Sequence, residues 1–301
     1  KDALLKLKTY FHSNAELKYI LKTDIVNFFE EIDKIDLLNN HLFPFLSDNS
    51  LNHLIEEALD QPLKGLNKIS SNKKHYFKLR KKGIPQGNPL SPFLSNIYLS
   101  NFDLHLKEKG IIHLRYADDF IILCKTKGDA ISKYKYIKEY LENEYSLSIH
   151  SIKDANNKTT IVNINETTLT FLSIVFDGVK IYPKKQKKTF LISKIELLIK
   201  ENKPSLKNDI YNTLDYWIAR YSYTNLEIYF DEIDETLRDL LNDNNIKIKI
   251  SKCKKIANRR RNKQCNKSEA NIWRLDNLKA ILPKFEIMQK FKNKNATHNR
   301  T

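Results

Sequence analysis

The chain has 301 residues, 41% of them hydrophobic, which is enough to build a core and excludes general disorder. Its formal charge of +16 and pI near 9.5 point to a polyanionic partner, most simply nucleic acid, although ribosomal, membrane-surface and AT-rich-genome proteins share that balance. Three cysteines, at 124, 253 and 265, cannot frame a disulfide fold of this size, no apolar run reaches a membrane span and no signal peptide is visible, so a reducing, cytoplasmic compartment is expected.

Leu4 to Leu17 reads as a mixed, helical opening segment. Tyr19 to Val26 reads as a strand that ends in an exposed carboxylate, Asp24. After Asn27-Phe28-Phe29 the spacing of Ile32, Ile35, Leu37 and Leu38 predicts a helix, and a second helix is expected over Leu51 to Leu59. Gly65 to Lys82 is polar and basic, with Tyr76, Phe77 and Leu79 suggesting a hairpin. The run Gly83-Ile84-Pro85-Gln86-Gly87-Asn88-Pro89-Leu90-Ser91-Pro92 holds two of the six glycines and three of the eight prolines, so it must be a stiff loop. Ser91 is the expected N-cap of the next helix, with Pro92 as its first residue. Leu94, Ile97, Tyr98, Phe102 and Leu106 follow at helical spacing, and Gly110 is a natural stop.

Arg115-Tyr116-Ala117-Asp118-Asp119-Phe120 is the stretch that organises the rest. Apolar residues on both sides of an Ala-Asp-Asp step predict two strands joined by a tight turn, whose aspartates tolerate left-handed backbone. Such a turn lifts two carboxylates above a buried sheet, and clustered acceptor-only oxygens suit Mg²⁺. Two solvated turn aspartates are the plain alternative for an isolated Asp-Asp pair.

Gly128 to Tyr145 is a further amphipathic helix, with Ile131, Tyr134, Ile137 and Leu141 on its inward stripe. Short strands fit Thr160 to Ile164, Leu169 to Val175 and Val179 to Tyr182. The final third is helical: Phe190 to Ile199, ended by Pro204; Leu206 to Tyr221, with Ile210, Leu214, Trp217 and Tyr221 inward; and a third helix opened by a capping box at Thr224-Asn225-Leu226-Glu227. Between Ile246 and Lys267 stand ten Lys or Arg and no acid, a run that suits phosphate contacts or a solubilising tail. A weaker helix, Ala270 to Leu282, follows.

Three segments in this order resemble the palm of a reverse transcriptase, in the bacterial lineage of group II introns, retrons and phage-defence enzymes. They are Lys22-Thr23-Asp24-Ile25-Val26-Asn27-Phe28-Phe29, the Gly83 to Pro92 loop with Asn96-Ile97-Tyr98-Leu99 after it, and Tyr116-Ala117-Asp118-Asp119. Phe171-Leu172-Ser173 looks like the family's primer-grip turn, with Ser173 where Gly is usual. The resemblance implies an α+β fold: a palm of antiparallel sheet with packed helices and partial fingers over residues 1–185, a three-helix thumb over 186–245, and a basic C-terminal extension over 246–301.

The same resemblance implies an RNA-directed DNA polymerase. Asp24 and Asp118 would ligate two Mg²⁺ ions (Mn²⁺ as the alternative), supplemented by the Ile25 carbonyl, with Asp119 a weaker ligand. Phe29, five residues beyond Asp24, would be the steric gate that excludes a ribose 2′-hydroxyl, its plain reading being a core Phe. Gln86 and Gly87 would line the incoming nucleotide's sugar and base, or merely form a turn. Lys158, in Lys158-Thr159, would protonate the departing pyrophosphate, with Lys153 as its competitor. The implied partners are an RNA template, a DNA product and deoxynucleotides, with no membrane; homo- or hetero-oligomers stay open.

Departures from the pattern shape the rest. The family carries a long fingers region before the Asp24 strand, so here it is missing, supplied elsewhere or outside this sequence, which starts at Lys1. No endonuclease signature follows the thumb and the retron Val-Thr-Gly signature is absent, which favours a stand-alone enzyme with a dedicated noncoding RNA in phage defence. The rivals are an intron maturase-like RNA-binding protein and a template-independent or protein-primed polymerase.

Overall fold

A computed structural model describes residues 2–60, 82–152 and 158–260. The hairpin expected at Tyr76, Phe77 and Leu79, the competitor Lys153, Cys265, the basic run past residue 260 and the helix Ala270 to Leu282 lie outside them. The chain forms two compact units, Lys1–Ile181 and Tyr182–Thr301. The fold is mixed α+β with antiparallel sheets, and no described helix is long and apolar enough to cross a membrane.

In the first unit, helix α1 (Asp2–Ser13) leads to strand β1 (Tyr19–Asp24). With β2 (His113–Tyr116), β3 (Asp119–Cys124) and β4 (Thr160–Asn163) it makes a sheet in the order β2-β3-β1-β4. Every residue of β3 from Phe120 to Cys124 is buried, as a continuous apolar run in a central strand should be. Helix α7 (Lys127–Tyr145) packs on β1 and β3, and Thr126 caps it by accepting from the Asp129 amide at 3.0 Å. Its buried stripe is Ala130, Tyr134, Ile137, Leu141 and Tyr145, whereas the expected Ile131 faces solvent.

Between β1 and β2 the single helix expected after Phe29 is broken into pieces. Asn27 takes a left-handed φ of 47°, helix α2 (Phe28–Glu31) follows, and Asp33 then accepts from the Ile35 and Asp36 amides, restarting the chain as α3 (Lys34–Asp36). A wide turn (Leu37–Leu42) buries Leu37, Leu38 and Leu42, while Ile35 is 70% exposed. A tight turn (Phe43–Phe45) and α4 (Asn52–Leu59) complete this stretch.

Helices α5 (Ser91–Tyr98) and α6 (Ser100–Glu108) replace one expected helix. The Ser100 hydroxyl donates back to the Ile97 carbonyl at 2.7 Å, a contact that bends helices at the joint. Ser91 is not the N-cap: Leu90 is, and the Ser91 hydroxyl turns inward to the Pro85 carbonyl at 2.5 Å. Gly110, at φ 68°, ends α6 as expected.

The segment Leu169 to Val175 is not one strand. β5 (Leu169–Phe171) and β6 (Ile174–Phe176) pair antiparallel across Leu172 and Ser173, both left-handed at φ 52° and 64°, in a three-stranded sheet with β7 (Ile181–Pro183). Two successive positive φ values are what a two-residue hairpin of the primed kind requires.

The second unit holds α8 (Lys185–Glu201), α9 (Leu206–Arg220), α10 (Phe230–Asp243) and α11 (253–260). Ile210, Leu214, Trp217 and Tyr221 are all buried, as the spacing predicts. The capping box at Thr224 does not form: its hydroxyl bonds the Tyr221 carbonyl, and a tight turn (Leu226–Tyr229) precedes α10.

The loop before α5 is docked on the segment that follows β1. Gly83 donates to the Ile32 carbonyl and Ile84 to that of Phe29, each at 2.7 Å. A Cβ on Gly83, at φ 92°, would stand 2.8 Å from the Glu30 carbonyl oxygen, whereas one on Gly87, at φ 89°, would meet nothing. Gly83→Ala is therefore expected to lose about 2–3 kcal/mol of unfolding free energy and Gly87→Ala only about 1. Urea denaturation of both checks this, and equal losses would contradict the close approach.

Candidate active site at the end of the central strands

The antiparallel register of β1 and β3 sets Asp24 directly opposite Asp119, so their side chains share one face of the sheet. One step further, the Ile25 amide donates to the Asp118 carbonyl at 3.2 Å. Segments far apart in sequence thus bring Asp24, Asp118 and Asp119 to one end of the sheet. Ala117 and Asp118 form a two-residue loop between the paired Tyr116 and Asp119. The left-handed residue is Ala117, at φ 55°, and not an aspartate as the sequence suggests.

An alanine held there is strained by about 1–2 kcal/mol, so something must hold it. Arg115 does. Its Nε and Nη2 bond Asp103 of α6 at 2.8 and 2.5 Å, and its Nη1 bonds the Ala117 carbonyl at 3.0 Å and Asn96 at 3.2 Å. Burial would raise the Asp103 pKa, but hydrogen bonds from Arg115 and His113 outweigh it and hold the carboxyl below its usual range.

Three basic side chains face the carboxylates. Lys158 Nζ lies 2.9 Å from Asp24 Oδ2, Lys22 Nζ 3.8 Å from Asp119 Oδ2, and His150 Nε2 3.9 Å from Asp24 Oδ1. The Lys158 pKa is raised, first by its hydrogen bond to Asp24 and then by the same charge. Burial pushes Asp119 up to about 6; Lys22 opposes this, and Asp24 and Asp118 add to it. Lys158 is placed by its neighbour: the buried Thr159 hydroxyl donates to the His150 carbonyl at 2.6 Å, so the Thr23 hydroxyl, 2.7 Å away, donates to Thr159.

Asp24 Oδ1 and Asp119 Oδ1 are both buried with no hydrogen-bond donor. Orphaned anionic oxygens on facing carboxylates fit a hard divalent cation. Among the described residues no three His, Cys, Asp or Glu side chains stand close enough to hold a metal ion by themselves.

The other residues expected at the site are placed as follows. Phe29 is half-buried, its ring 5.5 Å from that of the buried Phe28, and its carbonyl takes the Ile84 amide. Gln86 and Gly87 are exposed at the tip of the same docked loop. Lys22 and His150 escaped the sequence reading. Lys22 was legible, because strand residues two apart share a face and Lys22 precedes Asp24 by two. His150 was not, because only the Ile25–Ile149 bridge brings it there.

The profile of the reverse transcriptase (RNA-dependent DNA polymerase) family matches residues 2–191. Protein YkfC of Escherichia coli (strain K12) is 26% identical over a segment covering 30% of this chain and 31% of that protein. Among solved structures, apo telomerase from Candida tropicalis truncated from its C-terminal domain superposes with a TM-score of 0.43 at 18% identity, covering 61% of this chain and 39% of that one. Telomerase from Candida albicans, in complex with a TWJ fragment of telomeric RNA, gives 0.41 at 12% identity over 81% of this chain and 48% of that one. The chain therefore spans less than half of each of these three proteins.

The raised Asp119 yields a pH test. Its folded-state pKa exceeds the ordinary carboxylate value of 3.8, so the folded chain binds more protons between about pH 4 and 6. Stability from this group is fullest below that window and is lost as pH rises through about 6. Asp119→Asn should then be more stable than the parent by about 2 kcal/mol at pH 8 in metal-free buffer, with the gap closing toward pH 4. Urea titrations at both pH values check it; a gap that does not change with pH contradicts the burial of this charge.

Proposed function

Because the chain belongs to the reverse transcriptase (RNA-dependent DNA polymerase) family, we propose that it extends a nucleic-acid 3′-hydroxyl with deoxynucleotides on an RNA template. The observation that carries this reading is the pairing of Asp24 with Asp119, each with an orphaned buried oxygen, beside the turn that holds Asp118. Asp24, Asp118 and the Ile25 carbonyl would hold Mg²⁺ or Mn²⁺, with Asp119 as a weaker ligand. When bound, a pair of such ions lowers the pKa of the attacking hydroxyl and offsets charge on the leaving oxygen.

The chain's own groups do the rest. Lys158 is a protonated amine at the carboxylate edge and serves as the acid that delivers a proton to departing pyrophosphate. Phe29, in α2 five residues after Asp24, has a half-exposed ring that would take the volume a ribose 2′-hydroxyl needs. The loop that docks on the Phe29 carbonyl carries Gln86 and Gly87 toward the nucleotide, where a glycine lets backbone approach closely. The setting read from the sequence, a stand-alone bacterial enzyme in phage defence with a dedicated noncoding RNA, belongs to the same proposal.

Primer extension on an RNA template tests the chemistry. Asp24→Asn and Asp118→Asn should each lower incorporation at least about 1,000-fold without loss of RNA binding, and incorporation within tenfold of the parent would refute the site. Phe29→Ala should admit ribonucleotides about 100-fold better relative to deoxynucleotides; unchanged discrimination would refute the gate. Sequencing the nucleic acid that copurifies, and the product made with and without added template, should return one resident RNA and its complement. A product that ignores the template would contradict copying.

A further inference from the structure

One guanidinium behind the turn that carries Asp118 joins three elements of the first unit. Arg115 lies on β2, and its side chain is only 6% exposed. Its Nε and Nη2 grip both carboxylate oxygens of Asp103 on α6, at 2.8 and 2.5 Å. Its Nη1 bonds the Ala117 carbonyl at 3.0 Å and the Asn96 side chain of α5 at 3.2 Å. Asp103 is fixed in turn by His113, whose Nε2 lies 3.2 Å from Oδ1.

These contacts do two separate things. The first is to hold the turn. Ala117 sits at φ 55°, a backbone that an L residue avoids, and its carbonyl is the group that Arg115 grasps. Asp118 follows directly, so any rotation that relaxes Ala117 also swings that carboxylate. The second is to register the turn against α5. The loop that carries Gln86 and Gly87 is tied to the first turn of this helix on both sides: the Ser91 hydroxyl donates to the Pro85 carbonyl at 2.5 Å, and the Ser91 amide to the Asn88 carbonyl at 3.1 Å. Asn96, on the next turn but one, then meets Arg115. One eight-residue helix and one side chain thus connect the loop to the carboxylate turn.

We infer that Arg115 is a positioning residue for nucleotide addition, which sets the Asp118 turn in register with the Gln86–Gly87 loop. The inference rests on the polymerase reading of the site. Arg115 acts through Ala117 and α5, and a lysine cannot replace it, because an ammonium is a point charge where this site uses a planar fork of donors. When the fork is lost the loop keeps its own anchors on the Phe29 and Ile32 carbonyls, so the turn is the part that moves. A displacement of about 1 Å at a reacting centre can cost about 100-fold in rate. The expected signature is therefore a loss in kcat with the nucleotide KM little changed.

Primer extension and Mn²⁺ binding, the latter followed by electron paramagnetic resonance of the free ion, test this on the full chain. Arg115→Lys should lower kcat about 30-fold or more, keep the deoxynucleotide KM within about threefold and weaken Mn²⁺ about threefold or more. Ala117→Gly supplies a readout that a merely structural role would not move. Glycine takes this φ without strain, so in an Ala117→Gly background the kcat loss from Arg115→Lys should shrink at least about fivefold. Asp103→Asn breaks the same fork more mildly; it should lower kcat about tenfold and add less than about twofold to Arg115→Lys. That variant decides the matter if Arg115→Lys does not fold, which circular dichroism melts report. The inference is overturned if Arg115→Lys keeps kcat within threefold, if its loss lies in KM, or if Ala117→Gly leaves the loss as large. Should the parent chain extend no primer, the polymerase reading fails by itself. Mn²⁺ binding then still judges the turn: weakening by Arg115→Lys that Ala117→Gly relieves supports the positioning role, and unchanged affinity overturns it.

Discussion

The structure depends on one electrostatic constraint, the placing of like charges at the end of a buried sheet. Antiparallel pairing fixes Asp24 opposite Asp119, and two bare carboxylates about 4 Å apart repel by roughly 4 kcal/mol at an effective dielectric near 20. Burial of Phe120 to Cys124 on both faces of β3, with α7 packed against it, supplies the stabilisation that offsets that repulsion. Burial first, with the charges of Asp24 and Asp118 adding to it, raises the Asp119 pKa, and one oxygen of each facing carboxylate is left without a donor. Holding like charges in this way costs stability, as functional sites commonly do.

The surroundings answer the constraint residue by residue. Lys158 and Lys22 each stand beside one carboxylate, and the Thr23–Thr159 hydroxyl pair pins the segment that carries Lys158 into β4. Arg115 spends its guanidinium on Asp103 and the Ala117 carbonyl, so the strained turn is clamped to α6. Gly83 permits the loop to lie against the backbone of Phe29 and Glu30, which joins the second sequence motif to the first without passing through the sheet.

Much of this was legible in the sequence, and the misses have physical causes. The strand leading to Asp24, the hairpin at Asp118 and the helix stop at Gly110 each carry a strong local signal and stand where expected, although the strand stops at Asp24 and that carboxylate is largely buried, not exposed. Breaks inside helices were not legible, because they come from single side chains that compete with the helical backbone: Asp33 restarting the chain, Ser100 bonding Ile97. Ser91 looked like a cap because capping and docking use the same hydroxyl, and only the folded loop shows that Pro85 takes it. Ile131 fits the helical period as well as Ala130 does, yet Ala130 is the one buried and Ile131 the one exposed. The second unit shows the reverse: a run of lysines that reads as a tail in sequence is, as far as residue 260, anchored on Asp215 and Asp234.

The central claim is that Asp24 and the Asp118 turn hold a divalent cation jointly. Its most direct measurement replaces Mg²⁺ by Fe²⁺ and maps where locally generated hydroxyl radicals cut the polypeptide. Cleavage should occur in the same molecules at both places, around Asp24 and around Asp118, and excess Mg²⁺ should suppress both cuts together. Cleavage at only one of the two, or cuts that Mg²⁺ does not protect, would contradict a shared metal site.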